Sequence, residues 1–204
     1  MKLFLILFSL VVLLRPGGQP IVIPIQNPSF EQLTEPLTYS DYCGLEERVT
    51  AKIPAWKFAV APGSGGAGGL LQPNGEKPAI QSNGCNVPLP PDGQTVAFAQ
   101  DTTISQIVRV PDLLAGSGIY TLKFYAASYF YWYSGEYTVS LSLSSIDYGH
   151  PLCSVSGHPT GDFTQITLVC PINHHYAGDL TIVLYGKGWP VLFDDVSLTF
   201  TQQP

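Results

Sequence analysis

Residues 137–143 alternate apolar and hydroxyl side chains without a break: Tyr137, Val139, Leu141 and Leu143 on one side, Thr138, Ser140 and Ser142 on the other. A period of two is the mark of a strand with one buried face. Shorter runs of the same kind recur. Ile21 to Gln26 reads as a first strand, with Pro24 placing it at an edge or a bulge. Thr95 to Gln100, Ile104 to Val110, Gly118 to Phe124, Gln165 to Ile172, Leu180 to Tyr185 and Val191 to Thr201 are further strands. Beyond the N-terminal apolar run, no stretch shows a helical period with caps. Residues 33–54 read as mixed and loop-like, 61–94 as a long Gly/Pro/Asn-rich excursion with room for a small hairpin, and Ser154 to Asp162 as turn-rich. Many short strands with regular turn signals predict an all-β sandwich or barrel.

The chain has 204 residues, enough for one domain with a full core. Apolar residues make up 45% and charged residues 12%, which argues against disorder by self-repulsion. The formal net charge is -6 and the nine Lys and Arg are scattered. No basic stripe is available for a phosphate backbone, so nucleic acid is not an expected partner.

Lys2 followed by the apolar run Leu3 to Leu14 reads as an export signal, too short to cross a bilayer comfortably. Cleavage is placed near Gly18, giving a signal over 1–18, a single domain over 19–204 and no membrane span after cleavage; retention of the run as an anchor is the alternative. The protein is then secreted or held at the cell surface. The even set Cys43, Cys85, Cys153 and Cys170 suits two disulfides in an oxidising compartment. Four cysteines allow three pairings; the preferred one is Cys43–Cys85 with Cys153–Cys170. No C-x-x-C spacing supports a zinc site.

Two motifs at opposite ends carry a family resemblance. Asn27-Pro28-Ser29-Phe30-Glu31 stands near the start, and Leu192-Phe193-Asp194-Asp195-Val196-Ser197-Leu198 near the end. Ile53-Pro54-Ala55-Trp56 and Gly118-x-Tyr120-x-Leu122-x-Phe124 lie between them. Together they resemble the galactose-binding-domain-like β-sandwich family, which includes many bacterial carbohydrate-binding modules. The resemblance implies a jelly-roll sandwich with 61–94 as an insertion, Trp56 closing the core, and a structural Ca2+ held by Glu31 with Asp194 or Asp195. Hard oxygen ligands suit calcium, and two adjacent acids repel if buried without a cation. The competing reading is turn acids facing solvent, or Asp194 accepting backbone N–H bonds.

Aromatic crowding is the second candidate. Tyr125 is followed by five consecutive rings, Tyr129, Phe130, Tyr131, Trp132 and Tyr133. Alternation cannot bury both faces of such a run in one core. The resemblance implies that Tyr125, Tyr129, Tyr131, Trp132 and Tyr133 meet a glycan or cell-surface polymer, since Tyr and Trp match the apolar C–H faces of sugars. The alternative is that the rings are covered by the 61–94 segment. The histidines, among them His174-His175, have no partner set for metal or base chemistry, and no hydrolase, P-loop or dinucleotide fingerprint occurs. The expectation is therefore a non-catalytic glycan-binding module with a calcium site. A structural or adhesive surface protein is the alternative, and an uncharacterised hydrolase stands third.

Overall fold

The computed structural model describes residues 18–40, 47–50, 52–60, 63, 65–73, 88–110, 117–129, 135–143, 151–173 and 178–203. Among them are thirteen strands and no helix, and so no helix long and apolar enough to cross a membrane. The strands are β1 Ile21–Ile23, β2 Thr38–Ser40, β3 Glu47–Thr50, β4 Lys57–Val60, β5 Ala67–Gln72, β6 Val96–Gln100 and β7 Thr102–Arg109. They continue with β8 Gly118–Ser128, β9 Glu136–Leu143, β10 Cys153–Gly157, β11 Thr164–Ile172, β12 Asp179–Lys187 and β13 Val191–Gln202.

Two antiparallel sheets form a sandwich. The larger has the order β11-β8-β13-β6-β5-β3-β2, with β1 also paired to β13; the smaller runs β10-β9-β12-β7-β4. The core lies between them. Tyr120, Leu122, Phe124 and Phe193 of the larger sheet meet Ile104, Val139, Leu141, Ile182 and Leu184 of the smaller. Trp56 is buried and closes this core as expected. Cys153 of β10 is bonded to Cys170 of β11, joining an edge strand of each sheet. Cys43 and Cys85 lie outside the described residues.

Several segments differ from the sequence expectation. The 61–94 stretch contributes β5 to the larger sheet, between β6 and β3. Its glycines hid the strand, and packing explains one of them: a Cβ on Gly68 would lie 2.3 Å from the Phe58 ring. The loop-like 33–54 region supplies β2 and β3, and the turn-rich segment after Cys153 begins with β10. Ser140 and Ser142, expected on a solvated face, are 9% and 5% exposed. Their strand is flanked on both sides, with Ser154 of β10 and Val183 of β12 opposite Ser140 and Thr181 of β12 opposite Ser142.

Candidate functional site

The two terminal motifs meet. Asn27 adopts a left-handed backbone (φ 47°), as does Phe30 (φ 60°), a conformation Asn tolerates well. The buried Asn27 ties this turn together. Its Oδ1 accepts the Gln32 N–H at 2.9 Å, its Nδ2 donates to the Pro54 carbonyl at 3.2 Å, and its own carbonyl accepts the Trp56 indole N–H at 3.1 Å. Phe30 then drops into the core against Trp56, with ring centroids 5.3 Å apart.

Glu31 turns back over the segment before β6. Its Oε1 accepts the backbone N–H of Gln94 at 2.9 Å and of Thr95 at 2.7 Å, and the Thr95 hydroxyl at 2.8 Å. Gly93 is left-handed (φ 67°), and a Cβ there would sit 2.2 Å from the Glu31 carboxyl carbon. Only glycine lets the carboxylate approach so closely.

From the other end, β13 carries an irregularity between Asp194 and Ser197, with Asp195 left-handed at φ 45°. A bulge of this kind re-aims side chains. Here the Val196 N–H donates to the Pro28 carbonyl at 3.0 Å, locking the C-terminal motif onto the N-terminal one. Asp194 is wholly buried. One carboxyl oxygen accepts the Asp195 N–H at 2.8 Å and the other the Asp92 N–H at 3.2 Å. Burial pushes its pKa up to about 7; the Asp195 and Asp92 charges act in the same direction, and the two N–H bonds oppose them. Ser29 donates its hydroxyl to Asp92 at 2.6 Å.

The structure therefore brings Glu31, Asp194 and Asp195 to one junction and adds Ser29, Asp92 and Thr95. Sequence reasoning missed these three. Asp92 sat in Pro91-Asp92-Gly93, which reads simply as a turn. Among the described residues, no three His, Cys, Asp or Glu side chains form a group able to hold a metal ion.

Asp194 also borders a second apolar cluster. Leu71, Val96, Ala127, Tyr129 and Leu192 are buried together, with Phe98 and Phe163 half-buried against them. These positions alternate with the core positions of β5, β6, β8 and β13, so they occupy the outer face of the larger sheet. Ala127, Leu192, Phe98 and Gly69 form one cross-strand row, and Tyr125 stands opposite Asp194 in register. Tyr125 is half-buried; Tyr129, at 4% exposure, belongs to the packed cluster rather than to a presented surface. Tyr131, Trp132 and Tyr133 lie outside the described residues.

Residues 21–199, from the first strand almost to the end of the last, match the family described as HpiC1-like, HpiC1 cyclase. The chain belongs to the HpiC1-like family. No curated protein matches it. Among solved structures, TmCBM61 in complex with β-1,4-galactotriose is 18% identical, over 86% of this chain and 97% of that one, with a TM-score of 0.49. A CBM4 structure is 16% identical over 87% and 99%, also with a TM-score of 0.49. The K1 cleaved adhesin domain of Lys-gingipain from Porphyromonas gingivalis W83 is 12% identical over 92% and 100%, with a TM-score of 0.48. The galactotriose is a ligand of the first of these proteins.

Proposed function

We propose that this HpiC1-like chain is an exported, non-catalytic glycan-binding module whose outer ring-bearing sheet face meets the sugar. The observation that carries the reading is the composition of that face. A solvated sheet face is ordinarily polar, whereas this one bears half-buried Phe98, Tyr125 and Phe163 around an apolar floor. Ring faces stack on sugar C–H faces, and exposed Gln165, opposite Tyr125 on β11, offers a hydroxyl partner. In the sequence, Tyr131, Trp132 and Tyr133 follow within five residues of the end of β8. Binding of the mature protein to a glycan array tests this, with Trp132→Ala as the probe. A platform Trp132 gives lost binding with an almost unchanged melting temperature. Loss of roughly 3–5 kcal/mol of stability, with no glycan bound by the wild type, would instead support the structural or adhesive alternative.

The same reading places a structural calcium ion at the terminal junction, with Glu31 and Asp194 or Asp195 as its acidic ligands. Asp194 fits this role. It is buried beside two other acids, and each of its oxygens accepts one N–H, leaving lone-pair capacity for a cation. Because no three His, Cys, Asp or Glu side chains among the described residues are grouped to hold a metal by themselves, carbonyl oxygens, the Ser29 hydroxyl or water would complete the shell. A ligand bound only by the folded state stabilises it by mass action. Chelation should lower the melting temperature and added calcium restore it. An unchanged curve, with no metal in the purified protein, would leave these acids as partners of backbone N–H groups only.

The family's description names a cyclase, and Asp194 favours a second, catalytic reading. A carboxyl with a pKa of about 7 beside an aromatic face can give up a proton near neutrality. The two readings require opposite charge states. A bound calcium ion holds Asp194 as the anion, whereas an acid catalyst must carry the proton.

A further inference from the structure

A notch opens on the opposite sheet. β4 begins pairing with β7 at Lys57 opposite Ser105, so residues 106–109 run on beyond the start of their neighbour. The gap forms a cavity of about 440 Å³ between β7, Pro24 and Gln26 beyond β1, and Ala55. Its walls are pinned by one buried side chain. Gln106 donates to the Gln26 carbonyl at 2.8 Å and the Ala55 carbonyl at 3.2 Å, and accepts the Gln26 N–H at 2.9 Å. The site is built before any ligand arrives.

Its lining is chemically distinctive. Lys57 and Arg109 both line it and are exposed, and no Asp or Glu does so among the described residues. That runs against a chain with nine basic and fifteen acidic residues. Neither cation forms an ion pair with a described acid, although Asp179 stands across the strand from Arg109. By strand geometry their Cα atoms lie about 14 Å apart, a span that two long side chains can close around one ring-sized ligand. Between them Ile107 is 45% exposed, with the Ser105 hydroxyl alongside.

We infer that this notch binds a carboxylate-bearing sugar, a uronic acid unit of an acidic glycan. The cations take the carboxylate, Arg109 by a paired N–H donation; Ile107 and Pro24 meet the C–H face of the ring, and Ser105 meets a hydroxyl. An inorganic anion would leave the apolar wall unused. The choice of a sugar rests on the glycan-binding reading above, but the site lies on the other sheet and its residues are separate from the aromatic face.

The test is titration of the purified full chain, followed by calorimetry, with a trigalacturonate, a neutral oligosaccharide of equal length, and inorganic sulfate. The uronate should bind, more weakly as salt rises. Lys57→Gln and Arg109→Gln should each weaken it about tenfold or more, since a hydrogen bond to a charged group contributes that much. Both residues are exposed, so melting curves should not move; Ile107→Asp, which brings a like charge to the carboxylate, should also reduce binding. No uronate binding at millimolar concentration, or equal affinity in the Lys57→Gln/Arg109→Gln double variant, overturns the inference. So does sulfate competing as well as the uronate. Uronate binding lost in the double variant while Trp132→Ala leaves all sugar binding unchanged would keep this site and sink the aromatic platform. The reverse pattern would do the opposite.

Discussion

At Asp194, burial and charge oppose each other. The carboxyl lies in a site that favours the proton, with a pKa of about 7 against an ordinary value of 3.8. In metal-free protein the folded state therefore keeps a proton that the unfolded chain releases near 3.8. The stability this contributes is complete below that pH and is lost as pH rises through 7, a swing on the order of 4 kcal/mol. Urea midpoints at pH 4.5 and 7.5 should show the fall in chelated wild type and not in Asp194→Asn. Calcium reverses the preference by favouring the anion, so the loaded protein should lack the fall. Equal slopes in wild type and variant would mean that Asp194 is not the titrating group. The acid was visible in the sequence as half of a motif pair. The residues around it were not: Asp92, whose N–H Asp194 accepts, and Thr95, which donates to Glu31, reach the junction because Gly93 lets the chain close over Glu31.

At the level of elements, legibility followed side-chain size. The strands containing Val139, Leu122, Ile182 and Phe193 were readable because a large apolar residue stood at every second position. β10 was hidden because its sequence, Cys-Ser-Val-Ser-Gly, has the composition of a turn, although Cys153 and Val155 pack on the core. β5 was hidden by Gly68 and Gly69, of which Gly68 serves close packing against the Phe58 ring. Ring crowding at 129–133 has one member among the described residues, Tyr129, which sits on the outer face of the larger sheet. The crowding did not reveal that the outer face has an apolar cluster of its own, because Leu71, Val96 and Leu192 come from three separate strands. Tyr129 was absorbed by that cluster, which leaves Tyr125 as the described member of the expected platform with its ring part-exposed.

For the molecule as a whole, the sheets are held by one shared core and by a covalent tie along one side. Cys153 and Cys170 are 17 positions apart and sit on edge strands of different sheets. The bond closes the sandwich on that side, where β10 and β11 would otherwise be joined only by the chain between them and by edge packing. Cross-linking a loop of this length removes freedom from the unfolded chain worth about 3 kcal/mol. For a domain of this size that corresponds to a melting-point shift of roughly 6–12 °C. The double variant Cys153→Ser/Cys170→Ser should therefore melt lower than wild type by that amount. Hydrogen exchange should rise first in β10, whose only strand partner among the described residues is β9, and later in β8 and β13, which are flanked on both sides. A variant that melts within a degree of wild type would show that the core alone holds the two sheets together and that the tie is dispensable.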